Sequence, residues 1–474
     1  MSAPLLERLF RLRENGTNLR TEIVAGVTTF LTMSYIIFVQ PAVLSGVMFG
    51  QPTGMDFGAV TTATCLAAAL ASAIMGLYAR YPIAQAPGMG ENFFFVFTAI
   101  PAAAAAGAAV PWATALGAVF VSGVLFLVLS LVGAREAVMN SISPSMKHAI
   151  AAGIGLFIAF IGLQNAGLIV KDPGTAVRLN PQFASPDLLV FFTGLLVAAG
   201  LHARRVRGSI LWGILAAGAL AVAIKLALPH LGATLVASPL VADSALVQRF
   251  EIAERVVAAP PSLAPTLLQL DVRGALTLAM APIVAIFLFM VFFDTVGTLV
   301  GVAQQAGLMR DDRLPRARQA FVSDAVGTVA GAALGTSTVT SYIESATGVE
   351  QGGRTGLTAV VVALLFLVAL FFSPVVAMLG GYAPITAPAL VLVGGMMLVN
   401  VRDLDWDDYT EVVPGFLVLL GIPLSYSIAD GLALGFISYP LVKLLGGRAR
   451  DLRWMSWLVA ALLLGYFVFV RSRL

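Results

Sequence analysis

The amino-acid sequence predicts an all-α, polytopic membrane protein, and three observations support this prediction. Of the 474 residues, 59% are hydrophobic and only 11% are charged, whereas a soluble domain carries about 25% charged residues. The mean hydropathy is +0.93. The apolar residues form long blocks rather than the short alternating strands of a membrane β-barrel. At about 20 residues per crossing, the chain has room for roughly 14 spanning helices, and a soluble enzyme is excluded.

The apolar runs fall into two sets of seven, which lie within residues 19–228 and 277–446. Residues 229–276 form a polar connection between the two sets, with an amphipathic stretch and a Pro-rich piece, APPSLAP. Because seven is an odd number, the second set must insert with the opposite orientation. This arrangement predicts two inverted repeats, and the runs are called spans 1–14 below.

The two ends of the chain carry further amphipathic or apolar segments. Residues 1–18 mix Leu and Phe with Glu and Arg, which is typical of a short interfacial helix or of a frayed terminus. Residues 447–474 include a hydrophobic stretch that has no counterpart in the repeat, and it is either an extra span or an interfacial helix. The sequence lacks the early apolar run of a cleavable signal peptide.

Arginines in the loops predict the orientation of the helices. The short loops near residues 46–57, 101–111 and 379–383 contain no Lys or Arg, whereas most loops on the opposite side carry Arg. Loops rich in Lys and Arg stay in the cytoplasm. The sequence therefore predicts a multi-pass protein of the cell (inner) membrane with a cytoplasmic N-terminus. The net charge of +3 is explained by these loops and gives no reason to expect a nucleic-acid partner.

Several classes of chemistry lack the residues that they need. There is one cysteine, Cys65, and the three histidines are scattered, so no disulfide framework and no metal site is expected. No GxxxxGK[ST], HExxH or GxSxG motif occurs. We therefore expect no catalytic residues, no cofactor and no ATP-driven transport by this chain.

Two short segments interrupt the helical pattern at matching positions, third in each set. They read QAPGMGENFFFVFTAI from residue 85 and GTSTVTSYIESATG from residue 335. Pro and Gly in the first and β-prone Thr and Val in the second do not permit a continuous helix. Each segment is predicted to be a short extended piece followed by a half-helix, which begins near Gly88 in span 3 and about Ser341 in span 10. Paired breaks of this kind mark the substrate site of transporters built from inverted repeats; the alternative is a pair of kinks that bind nothing.

Four carboxylates lie at membrane depth, where an ionisable group is costly and usually functional. Asp294 lies in an otherwise apolar helix, with Thr298 one turn later on the same face. Glu344 is predicted in the first turn of the second half-helix, whose N-terminus favours an anion. Asp324 is interpreted first as a brace or cap for a neighbouring half-helix, and a direct role in the site is the alternative. Glu91 belongs either to the site or to a water-facing wall.

Three motifs resemble one known family. The sequences PGMGENFF from Pro87, FDTVGTLVG from Phe293 and GTSTVTSYIESATGVEQGGRTG from Gly335 closely resemble those of the AzgA-like adenine–guanine–hypoxanthine permeases. That group belongs to the nucleobase–cation symporters related to uracil and xanthine permeases, and the resemblance runs from about residue 18 to 447. It implies a core of spans 1–4 and 8–11, a gate of spans 5–7 and 12–14, and a homodimer formed through the gate.

The resemblance also implies a set of site residues. Asp294 and Glu344 match the acidic positions that hold the nucleobase, and Asn92 matches the Asn after Gly-Met-Gly. Two positions depart from the usual pattern: Glu91 replaces a residue that is hydrophobic in many relatives, and Gln40 replaces an Asn before proline. The expected substrate-binding residues are Asp294, Glu344, Asn92, Tyr342, Thr298, Gly88, Gly90, Ser341, Phe93 and Phe30.

The chemistry of these residues suits a purine base. Carboxylates accept from ring N–H groups, backbone N–H groups at a half-helix donate to ring nitrogens or carbonyls, and aromatic rings stack on the base. We expect import of purine nucleobases with protons, carried by Asp294 or Glu344. Alternatives are another nucleobase, such as uracil or xanthine, an inorganic anion on the same fold, a channel, or a membrane-embedded enzyme. Two intramembrane acids argue against the anion, and the absent catalytic motifs argue against the enzyme.

Overall fold

The computed structural model describes residues 3–132, 143–230, 237–308, 314–452, 454–465 and 467–468. In the first half, the helices of spans 1–7 are Leu19–Met33 with Ile36–Leu44, Phe57–Ile74, Met89–Phe94 with Ile100–Ala105, Pro111–Val132, Pro144–Asn165, Pro186–Ala203 and Ser209–Ala227. Short π-helices, Met75–Ala79 and Phe95–Ala99, continue spans 2 and 3.

The second half follows the same order. The helices of spans 8–14 are Ala281–Gln305, Ala317–Leu334, Ser345–Glu350, Gly356–Ala369 with Ser373–Gly380, Ala383–Met397, Tyr409–Ser425 and Ile428–Leu445. The described part of the connection contains the short α-helices Pro239–Ala242, Ala245–Arg249 and Val272–Ala275. Terminal helices are Ala3–Phe10 and Trp454–Gly465, and the second packs on spans 14 and 8.

Ten helices among the described residues are long and apolar enough to cross a membrane. The remaining predicted spans are shorter or more polar: span 3 is broken, span 9 is rich in Gly and Ala, span 10 is a half-helix, and span 13 has 17 residues. The prediction of an all-α membrane protein with two broken spans is therefore confirmed.

Both broken spans contain the short extended piece that the sequence predicts. Strand β1, Gln85–Pro87, pairs antiparallel with a strand in span 10, Val339–Ser341, so that Gln85 lies opposite Ser341. The hydrogen bonds of this ladder satisfy backbone groups that have no access to water at membrane depth. The two strands come from different halves of the chain, so their pairing joins the repeats at the middle of the molecule.

One hydroxyl in each half fixes its strand from a neighbouring helix. The Ser72 hydroxyl of span 2 donates to the carbonyl of Gln85 at 3.0 Å and accepts from its N–H at 2.9 Å. The Thr328 hydroxyl of span 9 donates to the carbonyl of Val339 at 2.8 Å and accepts from its N–H at 3.3 Å. Spans 2 and 9 are second in their respective halves, so corresponding helices perform the same task.

Helix packing divides the spans into two sets of neighbours. Span 5 packs on spans 12 and 13, span 6 on span 7, and span 13 on span 14. In the other set, span 11 packs on spans 1 and 2, and span 9 on span 4. A β-hairpin, of Ile169–Asp172 with Ala176–Leu179, connects spans 5 and 6.

Candidate functional site

Asp294 lies halfway along span 8 at the start of an open cleft. Its side chain is exposed, as are Gly297 and Gly301 on the same helix. Residues at this spacing share one helical face, whereas Phe287 and Met290, nearer the start of the span, are buried. The cleft therefore runs from Asp294 toward the C-terminal end of span 8. Thr298, which we expected beside Asp294, is buried.

Glu344 lies at the break in span 10, immediately before the half-helix Ser345–Glu350. The sequence placed it in the first turn of a helix that begins about Ser341, but the structure keeps Ser341 in the strand. Ser341 stays extended because its strand pairs with β1, and such tertiary contacts override a weak local preference for helix. The Glu344 side chain is partly exposed, and the next residue toward the strand, Ile343, is 51% exposed. Ile343 reaches toward Gly301, so spans 8 and 10 border the same cleft.

One hydroxyl group holds each of these two carboxylates. The Thr340 hydroxyl donates to Oδ2 of Asp294 at 2.8 Å, and the Tyr35 hydroxyl of span 1 donates to Oε1 of Glu344 at 2.8 Å. None of the ion pairs formed by the described residues involves either carboxylate. Each group is therefore oriented by a neutral donor and keeps a second oxygen that can accept from a ligand N–H.

Asn92 belongs to a buried amide network that connects both broken spans to span 1. Its side-chain nitrogen donates to Oε1 of Gln40 at 2.8 Å. The Gln40 nitrogen donates to the hydroxyls of Thr336 at 3.0 Å and Ser337 at 2.8 Å. The Asn92 oxygen is buried and has no partner among the described residues. Buried polar atoms are nearly always paired, so this oxygen has capacity for one further donor.

Asp324 and Tyr342 brace the pair of strands. The Ser341 hydroxyl donates to both carboxylate oxygens of Asp324, at 2.8 and 3.2 Å. The Tyr342 hydroxyl donates to the backbone carbonyl of Pro87. Both side chains thus fasten one broken span to another element, which agrees with the interpretation of Asp324 as a brace.

The half-helix of span 3 begins at Gly88, which is its N-cap residue. The carboxylate of Glu91 folds back so closely over Gly88 that it occupies the place a side chain at this position would need. Glu91 is 3% exposed, so it does not form a water-facing wall. Gly90 packs toward Ile154 of span 5 and Met290 of span 8.

Phe30 and Phe93 pack among other rings. Phe30 lies edge-on to Phe366 of span 11, with ring centroids 5.2 Å apart. Phe93 is fully buried and meets Phe49 and Phe157 edge-on. Stacking of either ring on a ligand stays a prediction.

Sequence reasoning did not select Tyr35, Thr340 or Gln40 as site residues. Gln40 was visible as a departure from the usual Asn, and Thr340 lies inside the second broken segment. Tyr35 carried no signal, because a Tyr in an apolar helix is common and its partner Glu344 is 309 residues away. Among the described residues, no group of three or more His, Cys, Asp or Glu side chains is arranged to hold a metal ion.

Comparisons with known proteins identify the fold and the family of this chain. The transmembrane domain of the cyanobacterial bicarbonate transporter BicA has the same 7+7 inverted-repeat fold, with a TM-score of 0.57 at 15% identity over 89% of this chain and 97% of that one. The guanine/hypoxanthine permease PbuG of Bacillus subtilis is 40% identical over 98% of this chain and 100% of its own. The adenine permease AdeP of Escherichia coli is 40% identical over 98% of this chain and 96% of its own. Residues 20–434 match the Xan_ur_permease group, described as the Permease family. The chain belongs to this permease family, and it is therefore a membrane transporter and not an enzyme.

Proposed function

We propose that this protein imports purine nucleobases together with protons. The observation that carries the proposal is the pair of carboxylates, Asp294 and Glu344, each held by one hydroxyl and neither paired with a cation among the described residues. Relatives of similar length are named adenine and guanine/hypoxanthine permeases. A neutral purine offers ring N–H donors to carboxylates and ring nitrogens to nearby donors, so its edge complements this site.

An inorganic anion fits the site less well. BicA is a bicarbonate transporter, but its likeness to this chain concerns the fold alone. Carboxylates repel an anion unless cations compensate them. In this structure the carboxylates of Asp294 and Glu344 border the cleft without such a cation among the described residues. We therefore expect a neutral cargo.

A panel of labelled substrates tests the proposed function. Cells that lack their own base permeases, with and without this protein, are supplied with adenine, guanine, hypoxanthine, uracil or sulfate. We expect uptake of at least one purine and no uptake of sulfate. Uptake of uracil alone would show that the substrate is a pyrimidine and not a purine base. Uptake of sulfate alone would overturn the proposed function.

The hydroxyl donors should matter almost as much as the carboxylates. Tyr35→Phe and Thr340→Val each remove one hydrogen bond to a carboxylate with little change in shape. A hydrogen bond to a charged group contributes about 1.5–3 kcal/mol, so purine affinity should fall by about 10- to 150-fold. Equilibrium binding to purified protein measures this change.

Matched controls separate this effect from a general loss of hydroxyls. Tyr78→Phe changes an exposed Tyr at the end of span 2, and Thr193→Val changes a Thr whose hydroxyl bonds only to its own helix at Leu189. Both controls should bind purine like the unaltered protein. If Tyr35→Phe and Thr340→Val bind equally well, orientation of the carboxylates by hydroxyls contributes nothing to the site.

The proposed mechanism is elevator-type alternating access, in which one body of helices slides against another. Spans 1–4 and 8–11 form the moving core and spans 5–7 and 12–14 the fixed gate, as the family resemblance implies; the gate also forms the homodimer. The two sets of packed helices support this division. With a cytoplasmic N-terminus in the cell membrane, the cleft at Asp294 opens to the cytoplasm.

Distances between spin labels test the two-body mechanism. Exposed positions Arg20 and Arg318 lie on core spans, and exposed Arg207 and Arg402 follow gate spans. Adding purine should change core-to-gate distances by about one helical turn, 5.4 Å, or more. Distances within each body should stay constant. Equal changes within and between the bodies would refute the mechanism.

A further inference from the structure

A second cavity, of about 400 Å³, lies at the opposite end of the bundle from the open cleft. Its walls come from the turn after span 1 (residues 47–50), the end of span 5 (164–167), the start of span 12 (382–384) and the connection (243–249). Its volume falls within the range of about 300–1,000 Å³ that is typical of small-molecule sites. Elements of the proposed core and gate therefore meet around one partly open cavity.

Two donors in this cavity have unused hydrogen-bonding capacity. The side-chain nitrogen of Asn165 is buried and has no partner among the described residues. The guanidinium of Arg249 lies against Gly50, whose added Cβ would be 3.3 Å from Nη1. None of the ion pairs formed by the described residues includes Arg249. A buried donor without a partner is costly, so a ligand that accepts from Asn165 is favoured.

Two acidic side chains also line this cavity. Asp187 accepts from the backbone N–H groups of Ala245 at 2.8 Å and Leu246 at 2.9 Å, and also from the hydroxyl of Tyr382. Asp243 is a second, exposed carboxylate at the cavity. Two acids against one Arg249 give the lining a net negative charge, which disfavours an anion. The lining suits a neutral ligand that carries acceptors.

A layer of aromatic rings, to which Phe93 of the half-helix of span 3 belongs, borders this cavity. Phe49 borders the cavity and lies 4.7 Å from Phe97 and 6.2 Å from Phe93, between ring centroids. Phe93 directly follows Asn92 in the half-helix. Phe157 and Tyr426 pack against this layer, and their own rings are 5.3 Å apart. Ring contacts therefore connect the cavity to the half-helix that carries Asn92.

We propose that this cavity is a second binding site for the transported base, at the mouth opposite the cleft. The inference rests on the proposed function, because it takes the same neutral, planar base as its ligand. Asn165 and Arg249 donate to the ring nitrogens or carbonyl of the base, and the planar guanidinium matches a flat acceptor edge. Phe49 supplies an apolar face. The base stays bound in this cavity until the aromatic rings of the layer move apart.

Equilibrium binding of radiolabelled hypoxanthine and adenine to the purified full chain tests the proposal. Two sites per chain are expected for at least one base, one strong and one weak. A double variant, Asp294→Ala with Glu344→Ala, should lose the strong site and keep the weak one. Asn165→Leu and Arg249→Met should each weaken the weak site by roughly tenfold and leave the strong site's affinity unchanged, which also shows that these variants are folded.

A matched control removes another arginine at the same end of the bundle. Arg178→Met changes an exposed residue of the hairpin whose ion pair with Asp172 spans 3.3 Å, and both sites should stay intact. A single site per chain, or a weak site that neither Asn165→Leu nor Arg249→Met alters, overturns the second site while the proposed function stands. If the unaltered protein binds no base at all, the proposed function fails and this inference fails with it.

Discussion

Replacing Asp294 or Glu344 by Ala is expected to abolish purine uptake while the protein still reaches the membrane. Each substitution removes an acceptor for a ring N–H and leaves the hydroxyl of Thr340 or Tyr35 without its partner. Loss of a charged hydrogen bond costs about 1.5–3 kcal/mol, which is about 10- to 150-fold in affinity. Uptake falls further than affinity, because a misplaced base does not complete the transport cycle.

A carboxylate far from the cleft provides the control for this prediction. Asp407 is exposed in the loop between spans 12 and 13, and Asp407→Ala should bind and transport normally. The measurements are uptake in cells, membrane abundance by immunoblot, and purine binding to purified protein. Normal binding by purified Asp294→Ala or Glu344→Ala protein would show that these carboxylates are not ligands.

Asp294→Asn is expected to uncouple transport from the proton gradient. This variant should still exchange labelled for unlabelled purine across a vesicle membrane, yet it should no longer accumulate purine. The reason is that Asn keeps the shape and one acceptor but cannot gain or lose a proton. Glu344→Gln should instead lose binding, because Glu344 stands at the N-terminus of a half-helix, where an anion is favoured.

The unaltered protein should show the matching dependence on pH. A neutral base that crosses alone gains no driving force, so accumulation must draw on inward proton flow. Raising the external pH reduces that inward gradient, and accumulation should fall; a protonophore should abolish it. If Asp294→Asn keeps concentrative, protonophore-sensitive uptake, the proton travels on another group, and Glu344 is then the next to test.

The sequence predicted the breaks in spans 3 and 10 because Pro and Gly act on the chain locally. It also selected Asp294 and Glu344, because a charge inside an apolar helix is costly and stands out wherever it folds. Both features can be recognised in the sequence without knowing which residues lie nearby in the folded protein. The same reasoning applies to the alternation of apolar runs and Arg-containing loops, which predicted the all-α membrane fold.

The partners of these groups were not predictable in the same way. The Tyr35 hydroxyl meets a carboxylate 309 residues further along the chain, and Gln40 meets Ser337 at a separation of 297 residues. Only the folded structure brings such pairs together. The start of the second half-helix moved from Ser341 to Ser345 for the same reason, since pairing of Ser341 with Gln85 keeps that residue extended.

The pairing of β1 with the strand of span 10 has a consequence for biosynthesis. Gln85 is made 256 residues before Ser341, so at about 5–20 residues per second the first strand waits roughly 13–50 s for its partner. During that time its backbone groups lack their ladder, which lipid does not provide. The first half alone is therefore an incomplete folding unit, and a nascent chain that stops before residue 339 presents an open edge to the quality-control machinery. An ancestral single repeat would have met this requirement only by pairing with a second, oppositely inserted copy of itself.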